Sequence, residues 1–549
     1  MKQSFILLIA TGLLFTSCKK IDRLPETEIP DTGFWNTEND LINASNRLYQ
    51  ELDGDWVDNR ADDAVGTAPN AVSTGTRSVP NTSADWNDRY DEIFTANNIL
   101  EKGLRARVTD AVRNRWFAES YFFRAYAYSK LVKLYGDVPL LLKTLQLNSP
   151  ELYMARTPRA EVVQQIYNDL DSAAKYLPRR SELPAAQWGR VFRSTAWALK
   201  ARVALYEGTR GKFHASIPDW QSHLNIAVAS ATSVMGEGHA LFNNYQNLFI
   251  QAGEGPTNLE NIFVKIYGVS NAQVLVGHNN SRDLENGRMA PTRNLLRQYL
   301  YTDGLPAWTT DNSPSTTRSP LFVAENAEAS YNTIFDNRDP RLGLTVFRAG
   351  ETAYKGAWVP TTSLGSRTGY AEKKGFNIPD WTINSAATVD RMLIRYAEVL
   401  LVFAEAKFEL NGSISDADLD LSINRLRTRV GFPVKLTNAF VTTNNLSMRE
   451  EIRRERTVEL ALEGFRYDDL IRWRTAETVM PKPILGAKYT EIDWVGTNAS
   501  QLNLNPDRVL IVETAANRAF RSNRDYLYPI PFNEITLSDG NVVQNPNWQ

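Results

Sequence analysis

The chain has 549 residues, with 61 Lys+Arg against 63 Asp+Glu and a formal net charge of -2. That balance argues against a nucleic-acid binder working through bulk charge, because neutralising phosphates needs a basic surplus or a basic face. One cysteine and four histidines (His214, His223, His239, His278) exclude a disulfide framework and a Cys-based zinc site, and leave little for a His-rich metal centre. No metal or other cofactor is expected.

The N-terminus carries Lys2, a low-charge stretch from Phe5 to Phe15, then Thr16-Ser17-Cys18-Lys19-Lys20. A basic start, a short apolar core and small residues describe a secretory signal peptide over residues 1–17. The apolar run is about half of the roughly 20 residues that span a bilayer. Small residues before a lone cysteine resemble a bacterial lipobox, with Phe15 where that pattern prefers Leu. Cleavage would leave Cys18 as an acylated N-terminus, followed by a linker over 18–30. The other reading is a plain signal peptide with an incidental cysteine. Further along, the best apolar stretch, Met392 to Ala406, carries Arg395, Glu398 and Glu405, each costly in hydrocarbon.

Helical periodicity dominates the rest. Helices are expected over Glu38–Leu52, Asn87–Leu104 and Arg113–Tyr135, the last closed by Gly136 and Pro139. Arg159–Leu177 and Val191–Glu207 follow, the latter with Ala196, Ala198, Ala201 and Ala204 for close helix approach. Trp116 and Trp197, among apolar neighbours, read as core. Beyond Tyr245 the character changes, and Thr302–Asp390 is rich in Gly, Pro, Ser, Thr and Asn, with short runs such as Trp358-Val359 that suit isolated strands. Helices return at Met392–Leu410, Asp416–Val430 and Met448–Arg474. Paired helices of this length approach the roughly 34-residue period of tetratricopeptide repeats. A second long irregular stretch, Asp53 to Asp85, exceeds the usual length of a connector, so a functional or disordered loop is expected there.

Catalytic signatures are missing: there is no H-E-x-x-H, G-x-S-x-G, Walker loop or helix-opening G-x-G-x-x-G. Glu398 and Glu405, seven apart on one helix, sit roughly 10 Å apart along its axis, a spacing that does not exclude an inverting glycosidase pair. Arg391, Arg395, Arg425, Arg427 and Arg429 offer them ion-pair partners, so a structural role is the stronger reading. The Asp53, Asp55, Asp58, Asp62, Asp63 cluster lacks the Gly and Glu positions of an EF-hand and reads as a solvated acidic loop.

The segment from Glu455 to Trp473, E-R-x-x-E-L-x-x-E-G-x-R-x-x-D-L-x-R-W, resembles the C-terminal signature of the SusD/RagB family of outer-membrane nutrient-binding lipoproteins. Phe122–Leu140, Arg156–Pro178, Gly189–Tyr206, Pro291–Gly304, Asn337–Leu342, Arg395–Ala406 and Tyr526–Trp548 resemble other family blocks in the same order. The resemblance implies a mainly α fold of about four tetratricopeptide-like helix pairs with a large loop-rich insertion region. Its N-terminal helical half would span 31–250, and its C-terminal half 251–549, including the irregular 302–390. It further implies a cell-surface lipoprotein of the outer membrane, held by acyl chains such as palmitate, that captures glycan for nutrient uptake through a SusC-like TonB-dependent transporter. The resemblance implies no enzyme. Peptide capture, as in RagB-like members, is the alternative; a glycoside hydrolase or a tetratricopeptide adaptor binding protein partners would be a departure. Family ligand residues vary and none transfers by motif. From residue chemistry, Trp56, Arg77, Asn279, Arg282 and Trp308 on the irregular stretches are the expected ligand contacts, because sugars need aromatic planes and flexible hydrogen-bond donors.

Overall fold

The computed structural model describes residues 33–548 apart from 51, 53–56, 271–272, 363–365 and 384. Cys18 and Trp56 therefore lie outside the described residues.

Helices form where capping and periodicity agree. Thr37 caps the Glu38–Arg47 helix and shares a capping box with Asp40. The helix stops short of the expected Leu52, yet Leu48 and Leu52 remain buried. Ala84–Lys102 begins earlier than its periodicity suggests, from Ser83. Thr109 caps Asp110–Tyr135, which ends at Gly136 with φ 79, a conformation that favours glycine. Arg159–Tyr176 ends just before Pro178, and Arg193–His214 runs well past the expected Glu207. Its four alanines are buried, as close packing requires. Trp220–Met235 was not foreseen as a helix; its Ser, Thr and Ala content gives a weak apolar stripe. Each of these helices packs against the next, and Trp220–Met235 passes the stack on to Tyr396–Asn411. One large apolar core runs through them, from Trp35 to Val542. Trp116 is buried in it, and Trp197 packs against its edge.

Three expected helices are corrected. Arg391–Arg395 is a strand paired antiparallel with Asn261–Lys265, and the helix starts only at Tyr396. The partner strand takes the backbone hydrogen bonds that a helix would have used. Asp416–Val430 is two short helices broken at Ser422, whose ψ of -95 is not helical. Met448–Arg474 is Met448–Glu459 followed by Arg466–Arg472. Between them Leu462 (φ 62) and Gly464 (φ 81) turn the chain through the left-handed region. That turn directs Glu459 and Glu463 to one set of partners and Arg466 and Asp469 to others.

The region 302–390 is irregular in backbone but not loosely packed. Tyr331, Phe335, Phe347, Tyr354, Trp358 and Tyr370 join Trp494 in a second aromatic core. Trp358-Val359 forms no strand; a single bridge between Thr352 and Ala357 lies beside it. The long loop is pinned by a two-residue strand, Ala64–Val65, paired with Ala290–Pro291. Among the described residues no helix is long and apolar enough to cross a membrane.

Candidate functional site

The family-like motif is scaffold. Glu459 receives Arg395 at 2.7 Å, Arg429 at 2.6 Å and Arg341 at 3.1 Å. Arg395 also holds Glu260 and Glu463, Arg341 holds Asp339 and Glu455, and Arg427 and Lys374 complete the set on Glu455 and Glu463. Burial alone would raise the Glu459 carboxyl, but the three guanidinia hold it far below the ordinary carboxylate range. Arg466 reaches Asp62 on the long loop at 2.8 Å and the Thr310 carbonyl at 2.9 Å, so the motif anchors both irregular stretches.

The two carboxylates weighed for glycoside hydrolysis are both engaged. Arg202 grips Glu398 at 2.6 Å through two nitrogens, and Arg472 grips Glu405 likewise, with the Trp473 indole N–H adding a third bond. Ion pairing was expected, but from Arg391, Arg395 and Arg425–Arg429; the partners instead come from the Arg193–His214 helix and the motif. The acidic loop is also not simply solvated. Asp58 pairs with Arg60, Asp62 with Arg466, and Asp63 is buried. Burial, then the charges of Asp62 and Asp58, push the Asp63 carboxyl up to about 8. Among the described residues no group of His, Cys, Asp and Glu could hold a metal ion.

The structure separates the expected ligand contacts. Arg77 donates to the Asp525 carbonyl at 3.0 Å, and its guanidinium lies over Tyr528 (4.3 Å) and Trp548 (5.2 Å). With a side chain 8% exposed, it ties the long loop to the C-terminal segment. Trp308 is half-buried, with the Arg297 guanidinium 3.8 Å above its ring. Asn279 and Arg282 do come together, around the short helix Asn280–Glu285. Asn279 accepts the Ser385 amide at 2.7 Å. The Arg282 guanidinium lies 5.4 Å from the ring centre of Trp381, whose indole N–H donates to Glu285 at 2.6 Å. Next to Asn279, His278 donates from Nε2 to the Val389 carbonyl and accepts the Asn280 amide at Nδ1. Burial pulls its pKa down to about 4, so it is a neutral brace. Trp381 was missed in the sequence. The signal was present in Asn377-Ile378-Pro379-Asp380-Trp381, where a proline in the first turn opens a helix of five residues.

This loop face offers a half-buried indole, an arginine with no ion-pair partner among the described residues, and amide and hydroxyl groups at its rim. A separate groove of about 840 Å³ lies between the helices, near Tyr126, Lys130, Arg202, Tyr206 and Phe465. Leu52 and Val57 also line it, but Arg77, Asn279, Arg282 and Trp308 do not. Its cations are largely committed: Arg202 to Glu398, Lys133 to Asp468 and Arg60 to Asp58.

Comparison with known proteins places the fold. A family model described as "SusD family" matches residues 260–548, and one described as "Starch-binding associating with outer membrane" matches residues 47–205. A SusD-like protein of Bacteroides ovatus is 24% identical over 86% of this chain and 83% of its own length. SusD-like protein P38 of Formosa agariphila is 24% identical over 89% of this chain and 94% of its own. The crystal structure of a SusD-like carbohydrate binding protein from Bacteroides fragilis superposes with a TM-score of 0.73 at 26% identity, covering 92% of this chain and 99% of that one. A laminarin binding SusD-like protein shares the fold at a TM-score of 0.60 and 21% identity, over 93% and 100% of the two chains. With one family model spanning more than half of its length, and relatives aligned along most of it, the chain belongs to the SusD/RagB family.

Proposed function

We propose that this protein captures glycan on its loop face, with Trp381, Arg282 and Asn279 as the contacts, and hands it to a SusC-like TonB-dependent transporter. The observation that carries the reading is the Arg282–Trp381 pair. An aromatic plane beside an arginine with no ion-pair partner among the described residues matches the apolar C–H faces and polar rims of sugars. Likeness to a solved carbohydrate-binding relative over nearly the whole of both chains supports it. Trp308 stays a candidate contact at the edge of the same irregular region, and Trp56 one outside the described residues. Arg77 acts as a tie that shapes the loop. Cys18 is the proposed lipid anchor to the outer membrane; Cys18→Ala should release the protein from the membrane fraction, and a variant that stays bound and still takes up acyl label contradicts it.

The test is calorimetry of the mature chain against laminarin and soluble starch, with product analysis for cleavage. Binding without cleavage products, weakened by Trp381→Ala, is the expected result. Binding lost in a groove variant such as Lys130→Ala, and kept in Trp381→Ala, would move the site to the groove. Failure with every polysaccharide, together with binding of peptides, would overturn the glycan reading in favour of peptide capture.

A further inference from the structure

A second cavity, of about 460 Å³, lies beside the start of the Arg159–Tyr176 helix and shares no residue with the loop-face cluster. Arg156, Arg159 and Arg210 line it, against the carboxylates of Asp137 and Glu207. Arg159 is spoken for: it grips Glu207 through Nε at 2.7 Å and Nη2 at 2.5 Å, and donates to the Val132 carbonyl from Nη1. Asp137 is turned to the backbone, accepting the Arg159 amide at 2.8 Å. His223 is engaged by the Tyr167 hydroxyl at Nδ1, and burial lowers its pKa.

Arg156 and Arg210 are different. Arg156 has only neutral partners, Asn545 Oδ1 at 2.8 Å and the Asp137 carbonyl at 3.3 Å. Arg210 has one, the Ser216 hydroxyl at 3.3 Å. Neither has an ion-pair partner among the described residues, and the Nε of each is enclosed with no acceptor. In both, burial depresses the guanidinium pKa, only partly offset by the nearby Asp137 charge; for Arg210 the charge of Arg159 adds to the depression, and Tyr206 and Glu207 also oppose it. Holding cations in a partly enclosed site with no carboxylate bonded directly to them costs free energy that a bound anion would offset.

We propose that this cavity binds the carboxylate of an acidic saccharide, a uronic acid, between Arg156 and Arg210. Three guanidinia against two carboxylates leave one positive charge, which suits a monoanion better than a phosphate dianion. The planar guanidinium fork matches a carboxylate in two-point hydrogen bonding. The volume falls within the roughly 300–1,000 Å³ typical of small-ligand sites. The saccharide identity rests on the glycan reading above; the anion preference rests on this cavity alone.

The experiment titrates the mature chain with galacturonate, galactose, acetate and sulfate by calorimetry, repeated for Arg156→Gln and Arg210→Gln. Galacturonate is expected to bind and galactose not to. Each variant should bind at least about tenfold more weakly, as losing a charge-assisted hydrogen bond implies, and Lys435→Ala, at an exposed lysine outside both this cavity and the loop face, should leave this binding unchanged. If Arg210→Gln fails to fold, Arg156→Gln and the galacturonate–galactose contrast on the native chain still decide. Binding of neither galacturonate nor acetate, or native affinity for galacturonate in both variants, overturns the site. Sulfate competing as well as galacturonate overturns the carboxylate preference, and acetate binding as tightly as galacturonate overturns the sugar. Retained binding of laminarin or starch in any of these outcomes shows that only this proposal has failed.

Discussion

Around Glu459, five cations (Arg341, Arg395, Arg427, Arg429, Lys374) meet five carboxylates (Asp339, Glu260, Glu455, Glu459, Glu463), whereas at the loop face Arg282 lies on an indole with no ion-pair partner among the described residues. The first region is buried and closed, most of its charges held by two or three others. The second keeps its arginine available. The difference teaches where a charge acts as structure and where as a site. A buried pair contributes chiefly by making either partner costly to remove, while an unpaired guanidinium beside an aromatic ring retains bonding capacity for something outside the chain.

The sharpest break of this comparison is Glu459→Ala. It strips three guanidinia of one partner and should destabilise the fold by about 3–5 kcal/mol, measured by denaturant unfolding. The same pair sets a pH dependence. The folded Glu459 carboxyl is held below its unfolded value, so its contribution is full above the ordinary carboxylate pKa and is lost as pH falls through the folded value. Acid unfolding of the native chain should therefore be steeper than that of Glu459→Ala.

How much of this contrast was legible follows from what each signal depends on. The C-terminal motif could be quoted residue by residue. Its partners could not be read, because Arg341, Lys374 and Asp62 lie far away in the chain. The single helix expected over 448–474 failed because charge spacing continues past Glu459 while Leu462 adopts a left-handed φ that no non-glycine residue advertises. At the site, Asn279 and Arg282 could be picked from their polar stretch. Trp381 was hidden in a region judged by its Gly, Pro and Ser content, and Arg77 looked exposed because its partners, Asp525 and Tyr528, come from the other end of the chain.

Asp63 gives the opposite sign to Glu459 and so sharpens the contrast. Its folded pKa, about 8, lies above the unfolded value, so the native state keeps a proton that the unfolded chain has released. Stability is then lost as pH rises from about 4 towards 8. Asp63→Asn should grow more stable relative to the native chain over that interval, by about 1–3 kcal/mol at the upper end, allowing for the cost of placing an amide there. Parallel unfolding curves at pH 5 and pH 8 check this; an advantage that does not change between them contradicts it.

Smaller again is Arg77→Ala. Losing the stack on Tyr528 and Trp548 and the bond to Asp525 should cost about 1–2 kcal/mol, and faster proteolysis within the Asp53–Asp85 loop is the accompanying readout. Arg282→Ala should have the smallest effect on stability, within about 0.5 kcal/mol, because no buried charge is left behind.

The most direct test compares Arg282→Ala with Glu459→Gln by calorimetry against whichever of laminarin or soluble starch the native chain binds, with thermal melting of each variant in parallel. The account predicts that Arg282→Ala melts as the native chain does and binds at least about tenfold more weakly, while Glu459→Gln melts lower and its folded fraction binds with native affinity. Native affinity in Arg282→Ala, or lost affinity in folded Glu459→Gln, would contradict it.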